Sequence, residues 1–139
     1  MNIAGESLSG KLTIYIDGAS SGNPGPAGIG LVFLDGSKIE RNKFIGYKTN
    51  NQAEYEAFLF SLSEALKLNK RDVVIRTDSE LLYRQIRGEY KVKDDKLKRL
   101  YKRAQSLIKR FEGFRIELVP REANRRADFL AKRAIKDKR

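Results

Sequence analysis

The stretch KLTIYIDGASSGNPGPAGIG, residues 11–30, decides the fold. Leu12, Ile14 and Ile16 alternate with Thr13, Tyr15 and Asp17, the two-residue period of a strand with one apolar face. The alternation predicts a strand that ends on Asp17, followed by a loop of Gly, Ser, Asn and Pro. Beyond that loop, AGIGLVFLDG and KIERNKFIGYKT read as two further strands joined at the Asp35-Gly36 turn signal, which makes an antiparallel meander of the first three.

The period then changes. In NNQAEYEAFLFSLSEALKL the apolar residues Tyr55, Phe58/Leu59, Leu62 and Leu66 fall on one helical stripe, with Asn50 or Asn51 as the expected N-cap. DVVIRTD is a short apolar strand that ends on Asp78, and SELLYRQIR starts a short helix that Gly88 stops. DDKLKRLYKRAQSLIKRF is an amphipathic helix, FRIELVP a fifth strand and EANRRADFLAKRAIK a last helix. The order β-β-β-α-β-α-α-β-α predicts one α/β domain over residues 11–139, with helices on both faces of a mixed sheet and a flexible segment at residues 1–10.

Composition narrows the chemistry. The 139 residues contain no cysteine and no histidine, which excludes a thiolate nucleophile, a Ser-His-Asp triad and any Cys- or His-ligated metal. No apolar run approaches a membrane span and the N-terminus lacks a signal-peptide pattern, so a cytoplasmic protein without membrane contact is expected. Residues 1–80 hold 9 basic and 10 acidic residues, whereas the remainder holds 20 and 8. Such asymmetry points to a polyanion on the C-terminal half, although a solvated basic surface would read the same way.

Four acids lie at element ends: Asp17 and Asp78 at strand ends, Glu54 early in the first helix and Asp128 early in the last. Each has a structural explanation. Glu54 could complete a capping box with Asn51, Asp78 could cap the helix after it, Asp128 could face its own helix dipole and Asp17 could open a turn. Taken together they have another. If the first and fourth strands are parallel neighbours, their C-terminal ends bring Asp17 and Asp78 to the edge where open α/β sheets bind ligands. Converging carboxylates raise one another's pKa unless a cation neutralises them, and Mg²⁺ suits an all-oxygen donor set. A pair of such ions can activate water and stabilise the leaving oxygen of a phosphodiester.

Four blocks, YIDGASSGNPGPAGIG, TNNQAEYEA, RTDSELL and VPREANRRADFLA, resemble the type 1 ribonucleases H in order and in the placing of one acid per block. The resemblance covers nearly the whole chain after the first ten residues. It implies the ribonuclease H-like fold, a five-stranded mixed sheet whose first three strands are antiparallel and whose fourth and fifth run parallel to the first. It also implies endonucleolytic hydrolysis of the RNA strand of RNA–DNA hybrids, giving 5′-phosphate and 3′-hydroxyl ends. The metal-binding and catalytic acids are then Asp17, Glu54, Asp78 and Asp128, with two Mg²⁺ ions, or Mn²⁺, as cofactor. The substrate contacts fall on Gly18, Ser20, Asn23, Thr49, Asn50, Asn51, Ser79 and Glu80. Among them Asn23, Asn50, Asn51 and Glu80 match RNA-contacting positions, and Thr49 with Asn50 matches a DNA-phosphate pocket.

The chain departs from the family pattern twice. The loop that often carries a histidine is here the short PREAN, where Arg121 or Glu122 could take over part of its role, with Arg121 preferred. The link GEYKVKDD leaves no room for the basic protrusion that grips the hybrid in several relatives, so the basic face Lys96, Lys98, Arg99, Lys102, Arg103 or the C-terminal cluster is a candidate substitute. A monomer is expected. A non-catalytic hybrid- or duplex-binding module is the alternative, as is the same nuclease acting also on double-stranded RNA. An integrase-like DNA enzyme fits less well because TNNQAEYEA is an RNA-contacting block.

Overall fold

The computed structural model describes residues 10–138. The segment expected to be flexible, residues 1–10, therefore lies outside the described residues except for Gly10. Five strands and four helices follow in the expected order: β1 Lys11–Ser20, β2 Gly25–Leu34, β3 Lys38–Lys48, α1 Asn50–Lys67, β4 Asp72–Thr77, α2 Glu80–Ile86, α3 Asp95–Ile108, β5 Gly113–Leu118 and α4 Arg125–Asp137. A single 3₁₀ turn, Arg121–Asn124, leads into α4. The sheet order is β3-β2-β1-β4-β5, antiparallel from β1 to β3 and parallel from β1 through β4 to β5. This is the mixed sheet that the resemblance to the type 1 ribonucleases H implied.

The alternation in β1 sorts its side chains as read. Leu12, Ile14 and Ile16 are buried in the main core with Val73, Ile75 and Ile116 of the neighbouring strands and Tyr55, Phe58 and Leu62 of α1. α3 packs outside α1, and α4 covers the opposite face of β1, β2 and β3. Among the described residues no helix is long and apolar enough to cross a membrane.

Two local expectations are corrected. First, β1 does not end on Asp17. It runs to Ser20 because antiparallel pairing with β2 continues through Asp17↔Gly30 to Ser20↔Ala27, and only residues 21–24 remain as the turn. The glycines in this stretch serve the packing of helices as well as the turn: a Cβ on Gly28 or Gly30 would lie 2.5 or 2.2 Å from a backbone oxygen of α4. Second, the N-cap of α1 is neither Asn50 nor Asn51. Thr49 caps the helix and Gln52 completes the capping box, each side chain bonding the other's backbone N–H.

Candidate active site

The register of the sheet brings the first two acids together. Tyr15 of β1 pairs with Arg76 of β4 in parallel, so Asp17 and Asp78 each stand two residues beyond a matched pair. With strands about 4.8 Å apart and side chains alternating, two such residues share both level and face. Asp78 lies just past β4, and it is not a cap: Ser79 caps α2, accepting from the Leu82 N–H.

Glu54 arrives from the other side of the sheet. A Cβ on Gly18 would sit 2.1 Å from the Ala53 carbonyl oxygen, so only glycine lets the first turn of α1 press against β1. The Gly18 N–H then donates to Glu54 Oε1 at 3.0 Å. Glu54 is free for this because Gln52 fills the capping role. Asp128 is carried in by α4, whose Ala127 carbonyl abuts Gly30, the residue paired with Asp17.

Asp17, Glu54 and Asp78 each offer a carboxylate oxygen, and the three oxygens lie within 4.8 Å of one another. Asp128 stands near enough to Asp17 to raise its pKa, but outside that mutual set. Asp17 and Glu54 are 5% and 7% exposed, which is rare for carboxylates. Burial, followed by the charges of Asp78 and Asp128, pushes the Asp17 carboxyl up to about 8. Burial and the Asp17 charge raise Glu54 well above the usual range, against the pull of the Gly18 N–H. Asp78 is also raised by burial, although the Arg121 guanidinium and a hydrogen bond from Asn124 hold it down.

The chemistry of this donor set fits a hard divalent cation. It has oxygen donors only, they converge, and their mutual repulsion is what a cation would relieve. Two side chains that the sequence reading missed refine the site. Lys132 pairs with Asp128 at 3.1 Å one turn along α4, a contact that the i,i+4 spacing made findable. Asn124, 1% exposed, stands at the N-cap position of α4 but its side chain makes no cap hydrogen bond; its Nδ2 instead donates to the Ile16 carbonyl at 2.8 Å, next to Asp17, and the amide lies near enough to Asp78 to lower its pKa.

The expected substrate positions form a polar rim around the acids. Asn23 Oδ1 accepts from the Asn50 N–H at 2.8 Å, Asn50 Oδ1 accepts weakly from the Ser20 N–H at 3.4 Å, and so the 21–24 turn is tied to the start of α1. Asn51 is exposed beside them. Thr49 and Ser79 hydroxyls are engaged as helix-cap acceptors. Glu80 is exposed at the start of α2 and paired to Arg84. Arg121 is exposed on the 3₁₀ turn, with its charge bearing on Asp78.

With this geometry described, the chain can be set beside known proteins. Residues 15–134 match the family model described as "Reverse transcriptase-like". The chain is 41% identical over 131 residues to ribonuclease HI of Halobacterium salinarum, covering 92% of this chain and 66% of that one. It is 42% identical over 129 residues to a bifunctional protein of Mycobacterium tuberculosis, covering 90% of this chain and 35% of that one. The chain thus spans just under two thirds of the first relative and about one third of the second. The crystal structure of RNase H1 from Halobacterium salinarum superposes with a TM-score of 0.88 at 41% identity, covering 91% of this chain and 98% of that chain. LC11-RNase H1, whose structure is in complex with an RNA/DNA hybrid, superposes with a TM-score of 0.85 at 40% identity over 91% and 98%.

Proposed function

The chain belongs to the ribonuclease H-like family, and from that premise we propose that it hydrolyses the RNA strand of RNA–DNA hybrids internally, leaving 5′-phosphate and 3′-hydroxyl ends. The observation that carries this reading is the convergence of the Asp17, Glu54 and Asp78 oxygens within 4.8 Å at a sheet edge, with Asp128 alongside. The hybrid bound to a 40%-identical relative supports the choice of substrate.

Asp17, Glu54, Asp78 and Asp128 would hold two Mg²⁺ ions, or Mn²⁺, when substrate is present. Bound there, the metal supplies Lewis acidity toward a phosphodiester and lowers the pKa of water. The chain's own residues do the rest. Gly18 fixes Glu54 through its N–H, Asn124 fixes the Ile16 carbonyl and Asp78, and Lys132 holds Asp128. Asn23, Asn50, Asn51, Ser20 and Glu80 offer donors and acceptors to 2′-hydroxyls, the group that separates RNA from DNA. Thr49 faces a DNA phosphate, and Ser79 lines the same rim. Arg121 takes the place of the missing loop histidine by charge, drawing the scissile phosphate toward Asp78. The unit acts as a monomeric catalytic domain over residues 11–139.

The test is cleavage of matched RNA–DNA, RNA–RNA and DNA–DNA duplexes with Mg²⁺ or Mn²⁺ and with chelator. The expected result is metal-dependent cutting of RNA in the hybrid. Cutting of RNA–RNA as well would widen the substrate class, and tight hybrid binding without cleavage in any metal would make the chain a binding module and overturn the proposal.

A further inference from the structure

The three converging acids make three separations, and different parts of the fold set them. Asp17 and Asp78 are placed by strand register, two residues beyond the Tyr15↔Arg76 pair. Asp17 and Glu54 are placed by Gly18, which follows Asp17 in β1 and donates its N–H to Glu54 Oε1 at 3.0 Å. Neither device joins Glu54 to Asp78, because one lies within the sheet and the other between β1 and α1.

Glu54 is carried by α1, and Asp78 is tied to α2. Asp78 stands between Thr77, whose hydroxyl accepts from the Ser79 N–H at 3.0 Å, and Ser79, whose hydroxyl accepts from the Leu82 N–H at 3.2 Å. These two bonds hold Asp78 to the first turn of α2, so a slide of α2 against α1 changes the distance from Asp78 to Glu54. Leu82 and Ile86 of α2 share the core with Tyr55 and Phe58 of α1, but apolar burial is non-directional and sets no fixed distance.

A hydrogen bond does. Tyr55, next to Glu54 in α1, donates to Gln85 Oε1 of α2 at 2.7 Å, and the two residues are 1% and 4% exposed. The direction of this bond is fixed by the far end of the amide. Gln85 Nε2 donates to the Lys91 carbonyl at 3.2 Å, and because a carbonyl can only accept, Oε1 is the end that faces the Tyr55 hydroxyl. Burial raises the pKa of that hydroxyl above its ordinary value, which keeps it a donor. An amide engaged at both ends does not turn away, and loss of the donor would leave a buried acceptor unpaired. Phenylalanine would fill the same space in the α1 stripe, so packing alone does not call for the hydroxyl.

We propose that the Tyr55–Gln85 hydrogen bond is a positioning device that fixes the separation of Glu54 from Asp78 and so completes the geometry in which three carboxylates hold a divalent cation. Tyr55 and Gln85 touch neither cation nor substrate in this role; they act through the two acids. The inference rests on the metal-dependent reading of the site proposed above and deepens it.

The experiment titrates Mg²⁺ into metal-free protein without substrate, followed by calorimetry and by the rise in melting temperature. The variants are Tyr55→Phe, which removes the hydroxyl alone, Gln85→Met, which keeps the length and removes the acceptor, and the two combined. The control is Ser61→Ala, which removes another buried hydroxyl of α1, one that bonds only the Phe58 carbonyl of its own helix at 2.7 Å. Tyr55→Phe and Gln85→Met should each weaken Mg²⁺ binding about tenfold, the lower end of the range for groups that orient metal-binding side chains. The combined variant should lose no more than the larger single loss, because the two residues act as one bond. Ser61→Ala should keep the wild-type dissociation constant. In hybrid cleavage, the deficit of Tyr55→Phe should be greatest at low Mg²⁺ and recover as Mg²⁺ is raised, with KM for the hybrid unchanged.

A purely structural role would lower the melting temperature of metal-free Tyr55→Phe and leave its Mg²⁺ affinity at the wild-type value. That result, an equal loss of affinity in Ser61→Ala, or losses that multiply in the combined variant would overturn the proposal. The outcomes also separate the two readings. A wild type that cleaves the hybrid while Tyr55→Phe binds Mg²⁺ normally keeps the nuclease and removes the positioning role. A wild type that binds Mg²⁺ but cleaves no duplex, with weaker binding in Tyr55→Phe, removes the nuclease and keeps the positioning role. A wild type with no response to Mg²⁺ overturns both.

Discussion

The acid cluster and the cleft lined by Lys91, Lys98 and Lys102 stand beyond opposite ends of α2 and carry opposite charge. At one end buried carboxylates are pressed together by Gly18, the β1–β4 register and α4. At the other end exposed ammonium groups surround a cleft that no acid lines. Other charges are paired across elements, as Arg126 is with Glu40 and Arg76 with Glu117. The difference is one of burial: the carboxylates converge where a bound cation would relieve their repulsion, whereas the ammonium groups stand in solvent. Because the acids are buried and held by backbone, their mismatch is costly and specific, while the lysines are solvated and theirs is small and screened by salt.

The largest break in this comparison comes from neutralising the acids. Asp17→Asn or Asp78→Asn should reduce hybrid cleavage by about 10³-fold, the scale for losing a charge-stabilising group, as single-turnover rates will check. Asp17→Asn should also melt at a higher temperature than wild type when both are metal-free at about pH 9, above the Asp17 pKa of about 8, because it there removes a buried charge that Asp78 and Asp128 oppose. Loss of activity with a lower melting temperature would instead mark Asp17 as a structural residue.

Gly18→Ala should come next. The added methyl cannot coexist with the Ala53 carbonyl at 2.1 Å, so the start of α1 must retreat and carry Glu54 with it. We expect kcat to fall about 10²-fold and stability by about 1–3 kcal/mol, read by kinetics and denaturant melts. Asn124→Ala should cost about 10–100-fold in activity, the usual range for groups that orient metal-binding side chains, and should weaken Mg²⁺ binding measured calorimetrically without substrate.

The smallest effect is on pH. The folded-state pKa of Asp17 is raised from its ordinary value to about 8, so the folded chain favours the protonated form. That contribution to stability is full below the ordinary carboxylate pKa of about 4 and is lost as pH rises through about 8. Metal-free protein should therefore melt progressively lower from about pH 5 to about pH 9, Asp17→Asn should show a shallower decline, and Mg²⁺ should offset the loss in wild type. A flat profile in metal-free wild type would mean that Asp17 is not held in its protonated form.

Much of the positive side of this arrangement could not be read from the sequence, and much of the acidic side could. Two strands ending near Asp17 and Asp78 were legible as period-two runs, and parallel pairing of β1 with β4 puts the two residues at one level. The length of β1 was not legible, because Gly18, Ala19 and Ser20 look like loop residues until their pairing with Ile29, Gly28 and Ala27 of β2 is seen. The cap of α1 was read as Asn50 or Asn51, both good cap formers, and the capping box with Gln52 instead places it on Thr49. Asn124 was hidden because its partner, the Ile16 carbonyl, is 108 residues away. Which cations are neutralised depends on ion pairs such as Arg76–Glu117 and Arg126–Glu40, and spacing along the chain says nothing about those.

The most direct measurement is calorimetric titration of Mg²⁺ into the metal-free protein in buffers of different ionisation enthalpy, beside an Asp17→Asn/Asp78→Asn variant. Wild type should bind Mg²⁺ and release a proton as it does so near neutral pH, because the cation displaces the proton held by the raised Asp17 carboxyl, and the variant should show neither. Equal binding by both proteins, or no binding by wild type at any accessible concentration, would contradict the account.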